Sequence, residues 1–256
     1  MKYLFIDGGF LDVMVEKTQR HFGLSEVPQI RFEQLCGRYD RTFYYGAYPV
    51  QKKGQSDADF ELLIKATNQK FRMINLTPNV HTREGITKNR RDGRREQKGV
   101  DILLAIDVLK NALNGTLSEA HIMTTDSDFF PLLEALRDTR AKSFLHCFPD
   151  ETSEDLMHLA DRVVPVNPFY IMRWAGIGAE GFVNSGVHYI ERDMNVEIKV
   201  GRVLGGRFRI LAKSQIPNGE YFAHVDGWNS HLVVQAKTEK DAIWAMECFM
   251  EEMVVF

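Results

Sequence analysis

The sequence is poor in cysteine, carries no basic surplus and has no long apolar run, and each lack narrows what the chain can be. Cys36, Cys147 and Cys248 are its three cysteines, odd in number, widely separated and without metal-type spacing. Neither a disulfide framework nor a cysteine metal site is expected, and a reduced, cytoplasmic compartment fits this usage. The formal net charge is -3, so any nucleic-acid contact must come from a local patch rather than a global basic field. No apolar run approaches a membrane span. The first one, Tyr3-Leu4-Phe5-Ile6, stops at Asp7 and is too short for the apolar region of a signal peptide, so no membrane partner is expected. Internal repeats and low-complexity tracts are missing as well. What is present is ordinary for a globular protein: 44% hydrophobic and 26% charged over 256 residues, enough for one large domain or a medium one plus a small one.

Up to about residue 170, strand-like and helix-like patterns alternate. Lys2 to Ile6 reads as a buried strand closed by Asp7-Gly8-Gly9, followed by a helix from Phe10 to Phe22. A short helix is expected around Phe32 to Cys36, an aromatic strand from Arg41 to Tyr48, and a helix from Asp57 to Met73. A third strand is expected around Met73 to Leu76, and 79–97 has no apolar periodicity. Lys98 to Leu113 is a strong helix whose apolar stripe is broken only by Asp107 and which stops at Asn114-Gly115. Then come a strand into Asp126, a helix to Arg137, a strand from Ser143 to Phe148, a helix from Ser153 to Asp161 and a strand from Arg162 to Val166. This order predicts an α/β domain with a mainly parallel sheet over 1–170. Gly176, Gly178, Gly181 and Gly186 mark a linker over 171–186. Its Gly-x-Gly-x-x-Gly spelling lacks the strand before and the helix after that a dinucleotide site requires. Residues 187–256 show β-like runs and a closing helix capped by Thr238 with Asp241 three residues on, a small α+β module.

Carboxylates collect where this topology brings strand ends together. Asp7 closes the first strand, and Asp126 and Asp128 follow the strand His121-Ile122-Met123. In a parallel sheet all these ends share one edge, the edge where ligands bind. One of Asp126 and Asp128 can equally serve as a helix cap while the other is solvated. The helix starting at Lys98 offers Asp101 in its first turn, with Lys98 three residues earlier on the same face. Clustered carboxylates are costly unless a cation neutralises them, and oxygen-only ligands favour Mg²⁺ or Mn²⁺ over zinc. Asp107 lies about 120° around the helix from Asp101 and reads as a buried or supporting acid rather than a direct ligand. His146 and Cys147 lie within a strand and read as core, and Ser127 has no histidine at a revealing spacing.

These residues together resemble the NYN domain, a family of the PIN-like nuclease superfamily. The resemblance rests on Phe5-Ile6-Asp7-Gly8-Gly9-Phe10-Leu11, Lys98-Gly99-Val100-Asp101, Asp107, Asp126-Ser127-Asp128-Phe129 with Pro131, and Leu156 with Ala160-Asp161, in that order. It implies a PIN-like three-layer sandwich and a metal-dependent phosphodiesterase acting on RNA. Asp7, Asp101, Asp126 and Asp128 would then be the catalytic acids, holding one or two Mg²⁺ or Mn²⁺ ions. Asp161, otherwise a residue that pairs or caps at its helix end, becomes a candidate accessory acid beside Asp107. Two departures from the family pattern matter: Phe10 stands where many NYN domains have Asn, and Thr124-Thr125 where they have Ser-Gly. Neither removes a carboxylate.

The local basic patch is Arg83, Lys88, Arg90, Arg91, Arg94, Arg95 and Lys98, interrupted by Gly85 and Gly93. A basic loop leading into the helix of Asp101 is suited to holding a phosphate backbone, of single-stranded or structured RNA, beside the acids. With few aromatics in it, base stacking is not expected. The C-terminal module weakly resembles small HicB-like folds, which implies dimerisation or partner binding, so a homodimer through this module is expected. Two rival functions remain: a non-catalytic RNA-binding or regulatory module, and a metal-dependent phosphatase on small nucleotides.

Overall fold

A computed structural model describes residues 1–52, 54–89, 95–177, 187–191, 199–203, 206–212, 220–226 and 232–255. They gather into two compact units, one of Met1–Val13 with Phe32–Arg162, the other of Met14–Arg31 with Val163–Phe256.

The first unit is built on strands β1 (Lys2–Asp7), β2 (Arg41–Gly46), β3 (Val80–Glu84), β6 (Glu119–Met123) and β7 (Lys142–Cys147). With β8 (Arg162–Pro165) they form a six-stranded sheet in the order β3-β2-β1-β6-β7-β8. The pairs β1–β2, β2–β3, β1–β6 and β6–β7 are all parallel. Neighbouring side chains of a strand point to opposite faces, and Tyr44 and Tyr45 show what covers each. The Tyr44 ring meets Phe32 of α2 (Phe32–Cys36) and Phe71 of α3 (Asp57–Leu76). The Tyr45 hydroxyl instead reaches Asp107 of α4 (Val100–Leu113) on the other face. Helix α5 (Phe130–Leu136) packs beside α4, and α6 (Glu154–Leu159) beside α5. The result is a three-layer α/β/α sandwich, with Leu4, Phe5 and Ile6 fully buried because β1 is covered on both faces.

Two expectations need correction. No strand runs from Met73 to Leu76; these residues are the last turn of α3, where Ile74 is buried while Met73 and Leu76 are exposed. The third strand is β3, within the stretch that showed no apolar periodicity. Among the described residues β3 pairs only with β2 and buries only Val80, so a polar sequence suffices there. The basic segment is a β-hairpin rather than a loop, with β4 (Ile86–Asn89) antiparallel to β5 (Arg95–Lys98).

Helix α1 (Gly8–Phe22) follows β1 at once. In the second unit the sheet is antiparallel, ordered β10-β11-β12-β13-β9, from β9 (His188–Glu191), β10 (Lys199–Val203), β11 (Gly206–Ala212), β12 (Tyr221–Asp226) and β13 (Leu232–Ala236). Helix α8 (Glu239–Met250) packs against β12 and β13. As expected, Thr238 caps it, accepting from the Asp241 amide at 3.1 Å. Helix α7 (Pro168–Trp174) is tied to α8 by the Asn167 side-chain amide, which donates to the Trp244 carbonyl at 3.0 Å. Residues 171–174 of the expected linker therefore belong to a buried helix, while 178–186 lie outside the described residues. Among the described residues no helix is long and apolar enough to cross a membrane.

Candidate functional site

Asp7 ends β1 in the turn that starts α1. Its Oδ1 accepts from the backbone N–H of Gly9 at 2.9 Å and of Phe10 at 3.4 Å, so it caps the helix that the strand feeds. This tight passage requires Gly8: a Cβ there would lie 2.5 Å from the Tyr44 hydroxyl and 2.6 Å from the Tyr45 carbonyl oxygen. The other Asp7 oxygen is taken by the β6 side of the sheet, where the buried Thr124 hydroxyl donates to Oδ2 at 3.0 Å.

Thr124 continues the link to the other acids. Its Oγ accepts from the Asp126 N–H at 3.1 Å, and Asp126 Oδ1 accepts from the Asp128 N–H at 2.9 Å. Asp126 thus caps the one-turn 3₁₀ helix Ser127–Phe129 and lines the strand end at the same time. The two roles weighed for Asp126 are compatible, because a cap occupies one carboxylate oxygen and leaves the other. Sequence reasoning noticed Thr124 only as a departure from the family pattern. The signal that identifies its role is its offset: a Thr two residues before an Asp can accept that residue's N–H, a local turn that fixes the strand end.

Asp101 comes from the opposite direction, in the first turn of α4. Gly99 precedes it as N-cap in the left-handed conformation (φ 88), which turns the chain from the hairpin into the helix. Among the described residues Asp101 accepts no hydrogen bond. Its carboxyl is nevertheless held above the ordinary carboxylate range, first by burial and then by the negative charges of Asp7, Asp126 and Asp128. Burial is also the main cause that raises Asp7, with Asp126 adding to it and the donated hydrogen bonds opposing it. The four acids expected to meet therefore share one electrostatic field at the carboxyl edge. Among the described residues no three acidic, histidine or cysteine side chains already stand at ligating separation.

Asp107 lies further along α4 and is engaged. Its Oδ2 accepts from the Tyr45 hydroxyl at 2.8 Å and pairs with Arg83 Nε at 3.2 Å. Burial and the Asp107 charge push the Tyr45 hydroxyl far up, so it stays a donor. Asp161 is not brought to the site. It sits at the amino-end edge of the sheet, where its Oδ2 accepts from the Ser143 N–H at 2.7 Å and hydroxyl at 3.0 Å, near the start of β7. Of the basic residues, Arg83 is on β3. Arg90, Arg91 and Arg94 lie outside the described residues, as do the side chains of Lys88, Arg95 and Lys98. His146 is buried core, as expected, its Nε2 2.9 Å from His121 Nδ1.

A family model, the NYN domain, matches residues 3–167 of this chain. The chain belongs to the NYN domain family. This places it in the PIN-like nuclease superfamily, and its first unit has the corresponding α/β fold. No curated protein matches the chain. A crystal structure of a protein of unknown function from Vibrio parahaemolyticus is similar over 64% of this chain and 91% of that one, at 15% identity and a TM-score of 0.43. That likeness is too loose to bear on fold or function.

Proposed function

We propose that the carboxyl edge of the NYN domain is the centre of a divalent-metal-dependent ribonuclease. The observation that carries this is that the charges of Asp7, Asp126 and Asp128 are felt together at Asp101. The donor set fits the ion that PIN-like nucleases generally use. It is all oxygen and strongly anionic, and Mg²⁺ needs only one or two direct carboxylates because it keeps several waters. Asp7, Asp101, Asp126 and Asp128 would hold Mg²⁺ or Mn²⁺, which when bound supplies an activated water and neutralises charge on the phosphate. The chain's own part is preorganisation. Thr124 holds Asp7 and the Asp126 backbone in one arrangement, and Asp126 holds the Asp128 backbone. The basic hairpin, joined to α4 through Gly99, would carry the backbone of the RNA substrate toward the acids.

A second reading, a non-catalytic RNA-binding module, is favoured by one observation: no three ligands already stand at coordinating distance among the described residues. Labelled single-stranded RNA incubated with the purified chain in Mn²⁺ or in EDTA separates the two. Cleavage in Mn²⁺ that is absent in EDTA supports the nuclease. Binding without cleavage in Mg²⁺ and Mn²⁺ alike overturns it in favour of the second reading.

A further inference from the structure

Strand register puts three side chains in one lateral row on the α4 face of the sheet: Asp7 of β1 beside Tyr45 of β2, and Tyr45 beside Arg83 of β3. Two strand spacings separate the Cα atoms of Asp7 and Arg83, about 10 Å. The Arg83 guanidinium lies over the Phe43 ring, 5.1 Å from its centroid, and its Nε is held by Asp107, which the Tyr45 hydroxyl fixes in turn. The side chain is thus pinned on one edge and one face yet remains 44% exposed. Among the described residues neither of its two Nη nitrogens takes a partner. An exposed ion pair of this kind adds little to stability, so stability alone does not account for a three-residue arrangement that orients one cation. A guanidinium held this way presents its remaining N–H fork in a fixed direction, which suits a phosphate oxygen pair. Arg83 also stands one residue before β3 ends, at the root of the β4–β5 hairpin.

We propose that Arg83 is a clamp for a second phosphate, so that the ligand is a single-stranded polynucleotide spanning from the acids toward the hairpin rather than a mononucleotide. Asp107 and Tyr45 are its positioning residues. The role presupposes that the acid edge receives a nucleic-acid phosphate, as proposed above, but not that the phosphodiester is cleaved. With Asp7 and Arg83 two strand spacings apart, a phosphate at the acids and one held by Arg83 are different phosphates of one strand.

Fluorescence anisotropy tests the clamp with labelled octauridylate and with a labelled dinucleoside monophosphate, in Ca²⁺ to suppress turnover. For Arg83→Gln the affinity advantage of the octamer over the dinucleotide should shrink by about tenfold, the loss of one charged hydrogen-bonded contact. The slope of log affinity against log salt should fall by about 0.7. Arg83→Lys should restore the slope but only part of the affinity. Asp107→Asn, which leaves the Arg83 cation in place but removes the carboxylate that orients it, should lower octamer affinity with the slope unchanged, a separation that general loosening of the fold would not give. Octamer binding by Arg83→Gln with wild-type affinity and slope overturns the clamp, even if the wild type cleaves RNA. Arg83-dependent octamer binding by a chain that cleaves nothing upholds it while the nuclease reading fails. Failure of the wild type to bind the octamer overturns both.

Discussion

The two edges of the parallel sheet each hold an aspartate bonded to a hydroxyl of a neighbouring segment, and they do different things. At the amino-end edge Asp161 and Ser143 exchange bonds: Asp161 accepts from the Ser143 N–H and hydroxyl, and its own N–H donates to the Ser143 oxygen at 3.0 Å. The two residues hold each other through three bonds. At the carboxyl edge Asp7 accepts from Thr124 and from two backbone N–H groups, yet burial and a neighbouring carboxylate still raise its pKa. One edge uses an acid as a staple; at the other the acids act on one another through their charges. Residue type and local bonding are alike at both edges. Topology makes the difference, because strand ends, helix starts and the N-terminus of α4 meet at one edge only.

The largest expected effect sets these edges directly against each other. If the proposed site is right, Asp126→Asn should reduce metal-dependent RNA cleavage by about a hundredfold or more, since it replaces one of the proposed ligands. Asp161→Asn should change cleavage by less than about twofold and cost about 1 kcal/mol of stability through the weakened staple. Steady-state cleavage rates paired with urea unfolding check both; comparable losses of activity would erase the distinction. A smaller effect is expected for Thr124→Val, which keeps the shape and removes the hydroxyl. With the Asp126 N–H and the Asp7 carboxylate each short of a partner, stability should fall by about 1–3 kcal/mol and activity by about tenfold. Full activity in that variant would mean that Thr124 does not organise the acids.

Smallest, and opposite in sign, is Asp101→Asn. A carboxyl raised in the folded state binds its proton more tightly there than when unfolded. Its ionisation therefore destabilises the fold as pH rises through the raised value, and the penalty vanishes once pH falls below the ordinary carboxylate range. Among the described residues Asp101 accepts no hydrogen bond that the substitution would break. At pH 7 without metal the variant should melt higher than the wild type, on the order of a degree or two. The gap should close as pH is lowered toward about 4. Scanning calorimetry across pH reads it, and a variant that melts lower at pH 7 would refute the shared field.

Much of this was visible in the sequence, for identifiable reasons. Asp7 and Asp126 were legible because each directly follows a short apolar strand, and parallel topology forces such ends together. Met73-Ile74-Asn75-Leu76 was misread because a short apolar run fits a strand or a helix end equally well. Val80–Glu84 was overlooked because an edge strand paired on one side has no need of apolar alternation. Asp161 matched the family pattern in order and spacing, but only the fold shows that it faces the wrong edge. Thr124, Tyr45 and the pairing of Asp107 with Arg83 depend on contacts between residues 24 to 117 positions apart, which no local pattern encodes.

The central claim is that four acids form one cation site, and titration calorimetry with Mn²⁺ on the intact chain addresses it without reliance on turnover. The wild type should bind Mn²⁺ saturably. Asp101→Asn and Asp126→Asn should each weaken that binding by about tenfold or more, and Asp161→Asn should leave it unchanged. Equal Mn²⁺ affinity in all four proteins, or no saturable binding by the wild type, would contradict the claim.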